Sequence, residues 1–101
     1  MKLKSIEQQV VAVVGASSGI GRETALQFAK RNAKVAVSAR TESGLASLVD
    51  EITALGGDAI AIPADVAEFE QVKSIVDRTI DRYGRLDTWV HAAETAILEG
   101  N

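Results

Sequence analysis

The chain has 101 residues, 47% of them hydrophobic and 25% charged, which is ordinary for a globular domain or for part of a larger α/β domain. Its net charge of -3 argues against the broad basic surface of a nucleic-acid-binding protein. The lack of cysteine excludes a disulfide framework, a thiolate metal site and a cysteine nucleophile, and we expect a cytoplasmic protein. No apolar run reaches the ~20 residues that cross a bilayer, and residues 1–9 lack the apolar core of a signal peptide, so we expect no membrane partner.

The first part of the chain predicts two strands separated by a helix. Residues 10–14 (VVAVV) are all apolar, as in a strand of a parallel sheet that helices cover on both faces. A helix is expected over residues 19–31, with Ser17 or Ser18 as its N-cap and Asn32 in the left-handed conformation that ends helices. Residues 34–38 (KVAVS) form the second predicted strand.

The second part repeats this alternation. A helix is expected over residues 42–55, before the glycines at 56 and 57, and a strand over residues 59–63 (AIAIP). A helix over residues 68–83 and a fourth strand that begins at Leu86 complete the pattern. The apolar stripe of the first of these helices contains Leu45, Leu48, Val49, Ile52 and Leu55, and that of the second contains Phe69, Val72, Ile75, Val76, Ile80 and Tyr83.

The order β-α-β-α-β-α-β predicts an α/β fold, a doubly wound parallel sheet with right-handed crossovers. In a sheet ordered 3-2-1-4 a fifth strand would normally cover the fourth, so four strands make the sheet incomplete. The edge of the fourth strand, with Trp89, would then be exposed, and we expect self-association into a homo-oligomer.

A glycine-rich segment, G-x-x-x-G-x-G, joins the first strand to the first helix. Unpaired N–H groups and the helix dipole make such a junction an anion site, here for a pyrophosphate. Gly15 would make the turn, Gly19 would let backbone approach the phosphates and Gly21 would let the helix pack on the sheet. A P-loop is excluded because Gly-Lys-Ser/Thr is absent, whereas a tight turn without a ligand is the alternative.

Four motifs resemble, in order and spacing, the cofactor-binding half of the short-chain dehydrogenase/reductase family: GASSGIG at 15–21, SAR at 38–40, ADV at 64–66 and LDTWVHAAE at 86–94. The resemblance implies a Rossmann-like sheet, with residues 1–101 as part of one NAD(P)-binding domain. It also implies that Asp65 accepts a hydrogen bond from the adenine amino group while Val66 packs on the ring; alternatively, Asp65 caps the next helix. The expected cofactor-binding residues are Gly15, Ser17, Ser18, Gly19, Ile20, Gly21, Arg40, Asp65, Val66 and Ala92.

The end of the second predicted strand favours NADP over NAD. Ala39 stands where an NAD-preferring relative would have an aspartate, and Arg40 follows it. A guanidinium can form two charge-assisted hydrogen bonds with the 2′-phosphate, and no carboxylate repels that phosphate. The hydroxyl of Ser17 would either join this contact or only cap the helix. Arg22 is a weaker candidate, interpreted as a solvated surface residue.

We assign no catalytic and no metal-binding residue to the chain. In relatives, a tyrosine, a lysine four residues later and a serine carry out carbonyl reduction, and they lie downstream of everything matched here. Tyr83 has Asp87 four positions on and is interpreted as a packing residue, and His91 as a strand-end residue with a satisfied ring. The family's Asn-Asn-Ala-Gly is replaced by residues 91–94 (HAAE), and the anionic Glu94 is expected to weaken cofactor binding.

Three functions are compatible with these residues. The first is an NADP-dependent oxidoreductase, present here as its cofactor-binding half, that transfers hydride between nicotinamide and a small carbonyl or alcohol. The second is a non-catalytic nucleotide-binding fragment that acts by association. A Rossmann methyltransferase is less favoured, because its cofactor has no pyrophosphate and would not need Arg40 beside Ala39. The substrate is not indicated.

Overall fold

A parallel four-stranded sheet alternates with three helices in a computed structural model of the chain, which describes residues 4–17 and 19–92. The strands are β1 (Val10–Val14), β2 (Lys34–Ala39), β3 (Asp58–Pro63) and β4 (Thr88–His91), and the helices are α1 (Gly19–Lys30), α2 (Glu42–Ala54) and α3 (Phe69–Tyr83). The strand order is β3-β2-β1-β4, which confirms the predicted doubly wound topology. A short 3-10 helix (Ile6–Gln8) was not predicted. Within the described residues, no helix has the length and apolar character needed to span a membrane.

The strands are paired with almost no offset, so their carboxyl ends meet at one edge of the sheet. Val14 at the end of β1 is level with Ser38 of β2 on one side and with His91 of β4 on the other. Ser38 is in turn level with Ile62 of β3. All four strand-to-loop transitions therefore lie next to one another.

Two cores enclose the sheet, one on each face. The larger core joins the sheet to α1 and α2, and the smaller joins it to α3. Every residue of β1 is buried, as predicted for a strand covered on both faces. The larger core includes Val11, Val13, Val35, Val37, Ala25, Leu26, Leu45, Leu48 and Ile52, and the smaller consists of Ala12, Val14, Ala36, Ile62, Ala64 and Ile75.

The predicted end of α1 agrees with the structure, and the predicted end of α2 does not. Asn32 has a φ of 71° and follows α1 in the left-handed conformation, as predicted. By contrast, α2 ends at Ala54, one residue early, and Leu55 is exposed, because the chain turns toward Gly56 before Leu55 can reach the core. Of the two residues predicted as the N-cap of α1, Ser18 lies outside the described residues, and Ser17 lies in a turn before it.

The apolar stripe predicted for α3 is only partly correct. Ile75 is buried, but Phe69 is 76% exposed and Ile80 is exposed as well, because neither packs against the described part of the sheet. Thr79 takes an interior position instead, and its hydroxyl donates a hydrogen bond to the Ile75 carbonyl over 2.6 Å. The helix begins after Glu68, so Asp65 is not its N-cap.

Candidate functional site

A cavity of about 550 Å³ lies at the edge where the four strands end. In doubly wound sheets, ligands bind outside the carboxyl ends of the strands, at the point where the strand order reverses. Here that point lies between β1 and β4. The lining residues are Val14, Gly15, Ser17, Ala39, Arg40, Thr41, Ala64, Asp65, Val66, Ala67, His91 and Ala92.

The glycine-rich loop is packed so tightly that two of its glycines cannot carry a side chain. Gly15 has a φ of 81°, and a Cβ there would overlap the Ala92 carbonyl oxygen. A Cβ at Gly21 would overlap the Gly15 carbonyl oxygen, so the first turn of α1 lies directly against the loop. The N–H groups of Gly15 and Ala16 donate to the Ser38 carbonyl over 2.8 and 3.0 Å, which fixes the loop to β2.

Gly19 has a different environment from these two glycines. It has a φ of 61°, and no described atom lies within 4 Å of the place where its Cβ would be. This space beside the first residue of α1 is the geometry expected for close approach of a phosphate to the helix N-terminus. The loop thus has one open face and one packed face.

The residues predicted to recognise a 2′-phosphate lie on one wall of the cavity. Ala39 is buried at the end of β2, whereas Arg40 is exposed, and both line the cavity together with Ser17. Thr41, which was not predicted from the sequence, also lines the cavity. Thr41 occupies the N-cap position of α2 but makes no side-chain capping hydrogen bond. Its position between Arg40 and the helix start was the signal that could have identified it.

The first turn of α2 approaches Ser17 closely because residue 44 is glycine. A Cβ at Gly44 would lie 3.0 Å from the Ser17 Cβ, which is closer than side-chain carbons normally pack. This contact brings the start of α2, with Arg40 and Thr41 before it, beside the glycine-rich loop.

Asp65 and Val66 form the wall contributed by the segment after β3. The Asp65 Oδ1 accepts a hydrogen bond from the Ala67 N–H over 2.9 Å, and the Asp65 N–H donates to Gln71 Oε1 over 2.6 Å. The carboxylate therefore stabilises a turn at the rim of the cavity. Val66 packs against the smaller core.

The sequence model of the short chain dehydrogenase family matches residues 9–99. The chain belongs to this family. It is 46% identical over 98 residues to the uncharacterized oxidoreductase YxnA of Bacillus subtilis, covering 97% of this chain and 28% of the relative. The family binds nicotinamide cofactors. The resemblance seen in the four sequence motifs is thereby confirmed.

Two solved structures with the same fold contain different cofactors. A variant of actinorhodin polyketide ketoreductase with NADPH is 33% identical, with a TM-score of 0.81 over 90% of this chain and 35% of the other. A 7α-hydroxysteroid dehydrogenase complexed with NADH and 7-oxo glycochenodeoxycholic acid is 32% identical, with a TM-score of 0.82 over 83% of this chain and 33% of the other. The chain thus spans about a third of the length of these relatives.

Several residues considered from the motifs do not line the cavity of this dehydrogenase fold. Ile20 does not line it, and neither do Gly19 and Gly21; the Ile20 side chain is 71% exposed on the first turn of α1. Arg22 does not line the cavity; it lies at the surface, as interpreted, but its partly exposed side chain is paired with Glu51. Its guanidinium donates to Glu51 Oε1 over 2.7 Å and to Ser47 Oγ over 3.4 Å, and so connects α1 to α2.

Tyr83 is held at the opposite edge of the sheet from the cavity. Its hydroxyl donates to the Asp58 carboxylate at the start of β3 over 2.9 Å, and the Arg82 guanidinium lies 4.7 Å from its ring centroid. Burial and this hydrogen bond raise the pKa of the Tyr83 phenol. Tyr83 is therefore a packing residue with a polar anchor, as its place on α3 indicated.

His91 lies in the cavity wall, where the family commonly has the first asparagine of Asn-Asn-Ala-Gly. The side chain is exposed, and no side chain within residues 4–17 and 19–92 hydrogen-bonds its ring, so the expected partner of the imidazole is not found there. Ala92 contacts the loop, and its N–H donates to the Val14 carbonyl over 2.9 Å. Ser18 and Glu94, the remaining residues of interest, lie outside the described residues.

Proposed function

We propose that these 101 residues form the cofactor-binding part of an NADP-dependent oxidoreductase that acts on a small carbonyl or alcohol. The observation that carries the proposal is the pair Ala39, which ends β2, and Arg40, which follows it, since both line the cavity together with Ser17. When bound, the nicotinamide of such a cofactor would donate or accept the hydride. The residues of this chain would bind and orient the dinucleotide.

The phosphate-binding part of the proposal rests on the glycine-rich loop. The open space at Gly19 suits a pyrophosphate, and the packed glycines Gly15 and Gly21 keep the first turn of α1 directed at it. The loop alone does not separate NADP from NAD, since the solved relatives with NADPH and NADH share the fold.

The preference for NADP rests on charge at the end of β2. An exposed guanidinium can bind the 2′-phosphate through two parallel N–H donors, and the buried methyl group of Ala39 carries no charge that would repel it. Ser17 supplies a hydroxyl on the same wall. An NAD-selective site would instead need a carboxylate there to bind the ribose hydroxyl.

We place the proton donor of the reaction outside residues 4–92. Tyr83, the chain's single tyrosine, is bonded to Asp58 at the far edge of the sheet, and its raised pKa opposes a role as an acid near neutral pH. Binding without turnover by these 101 residues would be equally compatible with a non-catalytic nucleotide-binding protein.

The proposal is tested by calorimetric titration of the chain with NADPH and, separately, with NADH. We expect tighter binding of NADPH, and Arg40→Ala should weaken it by about tenfold to hundredfold, the value of a charge-assisted phosphate contact, with little effect on NADH. Arg78→Ala, which removes the same charge from an exposed position on α3, is the matched control and should change neither affinity. Equal affinities for the two cofactors, or equal effects of the two substitutions, would refute the preference for NADP.

A further inference from the structure

The cavity wall after β3 is bonded to a side chain that does not itself line the cavity. Ala64 still belongs to the sheet, because its N–H donates to the Ala39 carbonyl over 3.0 Å. The next N–H, that of Asp65, leaves the sheet and donates to the Gln71 Oε1 atom over 2.6 Å. Asp65 and Val66 line the cavity, whereas Gln71 lies outside it on α3. The backbone of this wall is therefore held by the Gln71 amide.

The position of Gln71 on α3 explains how its side chain reaches Asp65. Glu68 is the N-cap of α3, so Gln71 is its third helical residue. In a capping box, a glutamine at this position accepts a hydrogen bond from the N–H of the N-cap residue. Here the Glu68 N–H donates to the Asp65 carbonyl over 3.0 Å instead, and the Gln71 side chain extends three residues further back, to Asp65. The wall is thus fixed to the first turn of α3 as well as to the sheet.

The Asp65 carboxylate has one oxygen committed to the turn and one that is not. Its Oδ1 accepts a hydrogen bond from the Ala67 N–H over 2.9 Å. No donor within residues 4–17 and 19–92 hydrogen-bonds its Oδ2, and Asp65 lines the cavity. A carboxylate oxygen only accepts hydrogen bonds, so Oδ2 suits a ligand that presents an N–H or O–H donor. Its direction depends on the backbone conformation at Asp65, which the bond to Gln71 restricts.

We propose that Gln71 is a positioning residue for the cofactor: by holding the Asp65 backbone, it keeps Oδ2 directed at a donor group of the bound dinucleotide. This inference rests on the proposed function, because it takes the dinucleotide to occupy the cavity. In the sheet order β3-β2-β1-β4, a pyrophosphate at the loop after β1 and a 2′-phosphate at Arg40 after β2 place the adenine toward the end of β3. Its exocyclic amino group is then the donor for Oδ2, and Gln71 acts through Asp65 without contacting the cofactor.

The experiment is a double-mutant cycle in which calorimetry measures NADP⁺ affinity. Gln71→Met keeps the length of the side chain but removes the acceptor, and we expect it to weaken binding by about threefold to tenfold, the value of one hydrogen bond. Asp65→Asn keeps an oxygen for the Ala67 N–H but replaces the available oxygen with an N–H donor. Because Gln71 acts through this oxygen, adding Gln71→Met to Asp65→Asn should cause no further loss of affinity.

Two further variants control for the chemistry of the substitution. Gln71→Glu retains an acceptor for the Asp65 N–H and should bind NADP⁺ within about twofold of wild type at about 0.5 M salt, which screens the added charge. Gln27→Met removes the same amide from an exposed position on α1, where Gln27 is bonded to Glu23, and should leave NADP⁺ affinity unchanged.

The outcomes separate this inference from the proposed function. If Gln71→Met lowered the urea midpoint but bound NADP⁺ as tightly as wild type, the bond to Asp65 would only stabilise the turn and the inference would be overturned. Losses that add in the double variant, or an equal loss in Gln71→Glu, would also overturn it and leave NADP binding intact. If the wild-type chain bound no NADP⁺ although circular dichroism showed it to be folded, the proposed function itself would be wrong.

Discussion

The contact between Gly21 and Gly15 predicts that Gly21→Ala destabilises the chain although alanine favours helices. In an exposed helix, this substitution would stabilise by ~1 kcal/mol. Here the new Cβ would overlap the Gly15 carbonyl oxygen, which is backbone and cannot rotate away, so the loop has to move. Overpacking of this kind costs ~1–3 kcal/mol.

The loop cannot move freely, because the N–H groups of Gly15 and Ala16 are hydrogen-bonded to Ser38 over 2.8 and 3.0 Å. Weakening these two bonds adds about 1 kcal/mol, which offsets the helix-propensity gain. We therefore expect a net loss of about 1–3 kcal/mol in the free energy of unfolding, which at a urea m-value of ~1–2 kcal/mol/M lowers the midpoint by roughly 1 M.

The assay is urea unfolding followed by the fluorescence of Trp89, the chain's single tryptophan. Gly44→Ala is the matched control: it adds the same methyl group to the first turn of another helix, where it would meet the Ser17 side chain at 3.0 Å instead of overlapping a carbonyl. That variant should keep its midpoint near the wild-type value, because the small shift required of Ser17 offsets the helix gain. A Gly21→Ala chain as stable as wild type would show that the loop yields at no cost and would refute the argument.

Two further predictions concern side chains outside the cavity. Arg22→Ala breaks the contact with Glu51, so we expect it to lower the free energy of unfolding by about 0.5–1 kcal/mol at low salt and by less at high salt. Lys73→Ala, on the exposed side of α3, is the control and should cause no measurable loss of stability in the same urea titration. Tyr83→Phe should cost about 0.5–1.5 kcal/mol near neutral pH without changing NADPH affinity. Because folding raises the Tyr83 pKa, the stabilisation by its hydroxyl is fully present below the ordinary tyrosine pKa of about 10 and decreases at higher pH. If the stability difference between wild type and Tyr83→Phe grew with pH, the hydrogen bond from the protonated hydroxyl to Asp58 would not be its cause.

The sequence was most informative where one residue pattern has one structural solution. Five consecutive apolar residues in β1 and left-handed ends such as Asn32 follow from local chemistry, and the alternation of strands and helices leaves few topologies open. The position of Arg40 in the cavity wall could be anticipated to the same extent, because Arg40 follows a strand end and strand ends converge.

The sequence was least informative where partners come from distant segments. The stripe of α3 correctly placed Ile75, but it could not show that Phe69 would face away from the described sheet. The ion pair of the surface residue Arg22 could not be predicted, because its partner Glu51 lies 29 positions later, on another helix. Such assignments depend on the distance and angle between packed helices, which periodicity along one helix does not contain.

The local electrostatics of the cavity favour the proposed binding of a highly anionic cofactor although the chain has a net charge of -3. Each of α1, α2 and α3 begins after a strand that ends at the cavity edge, so the positive ends of three helix dipoles lie on that side of the sheet. These dipoles favour any phosphate equally and cannot separate NADP from NAD. In the proposed function, a side chain to one side of the loop would make this discrimination, and Arg40, which follows the neighbouring strand β2, has such a position.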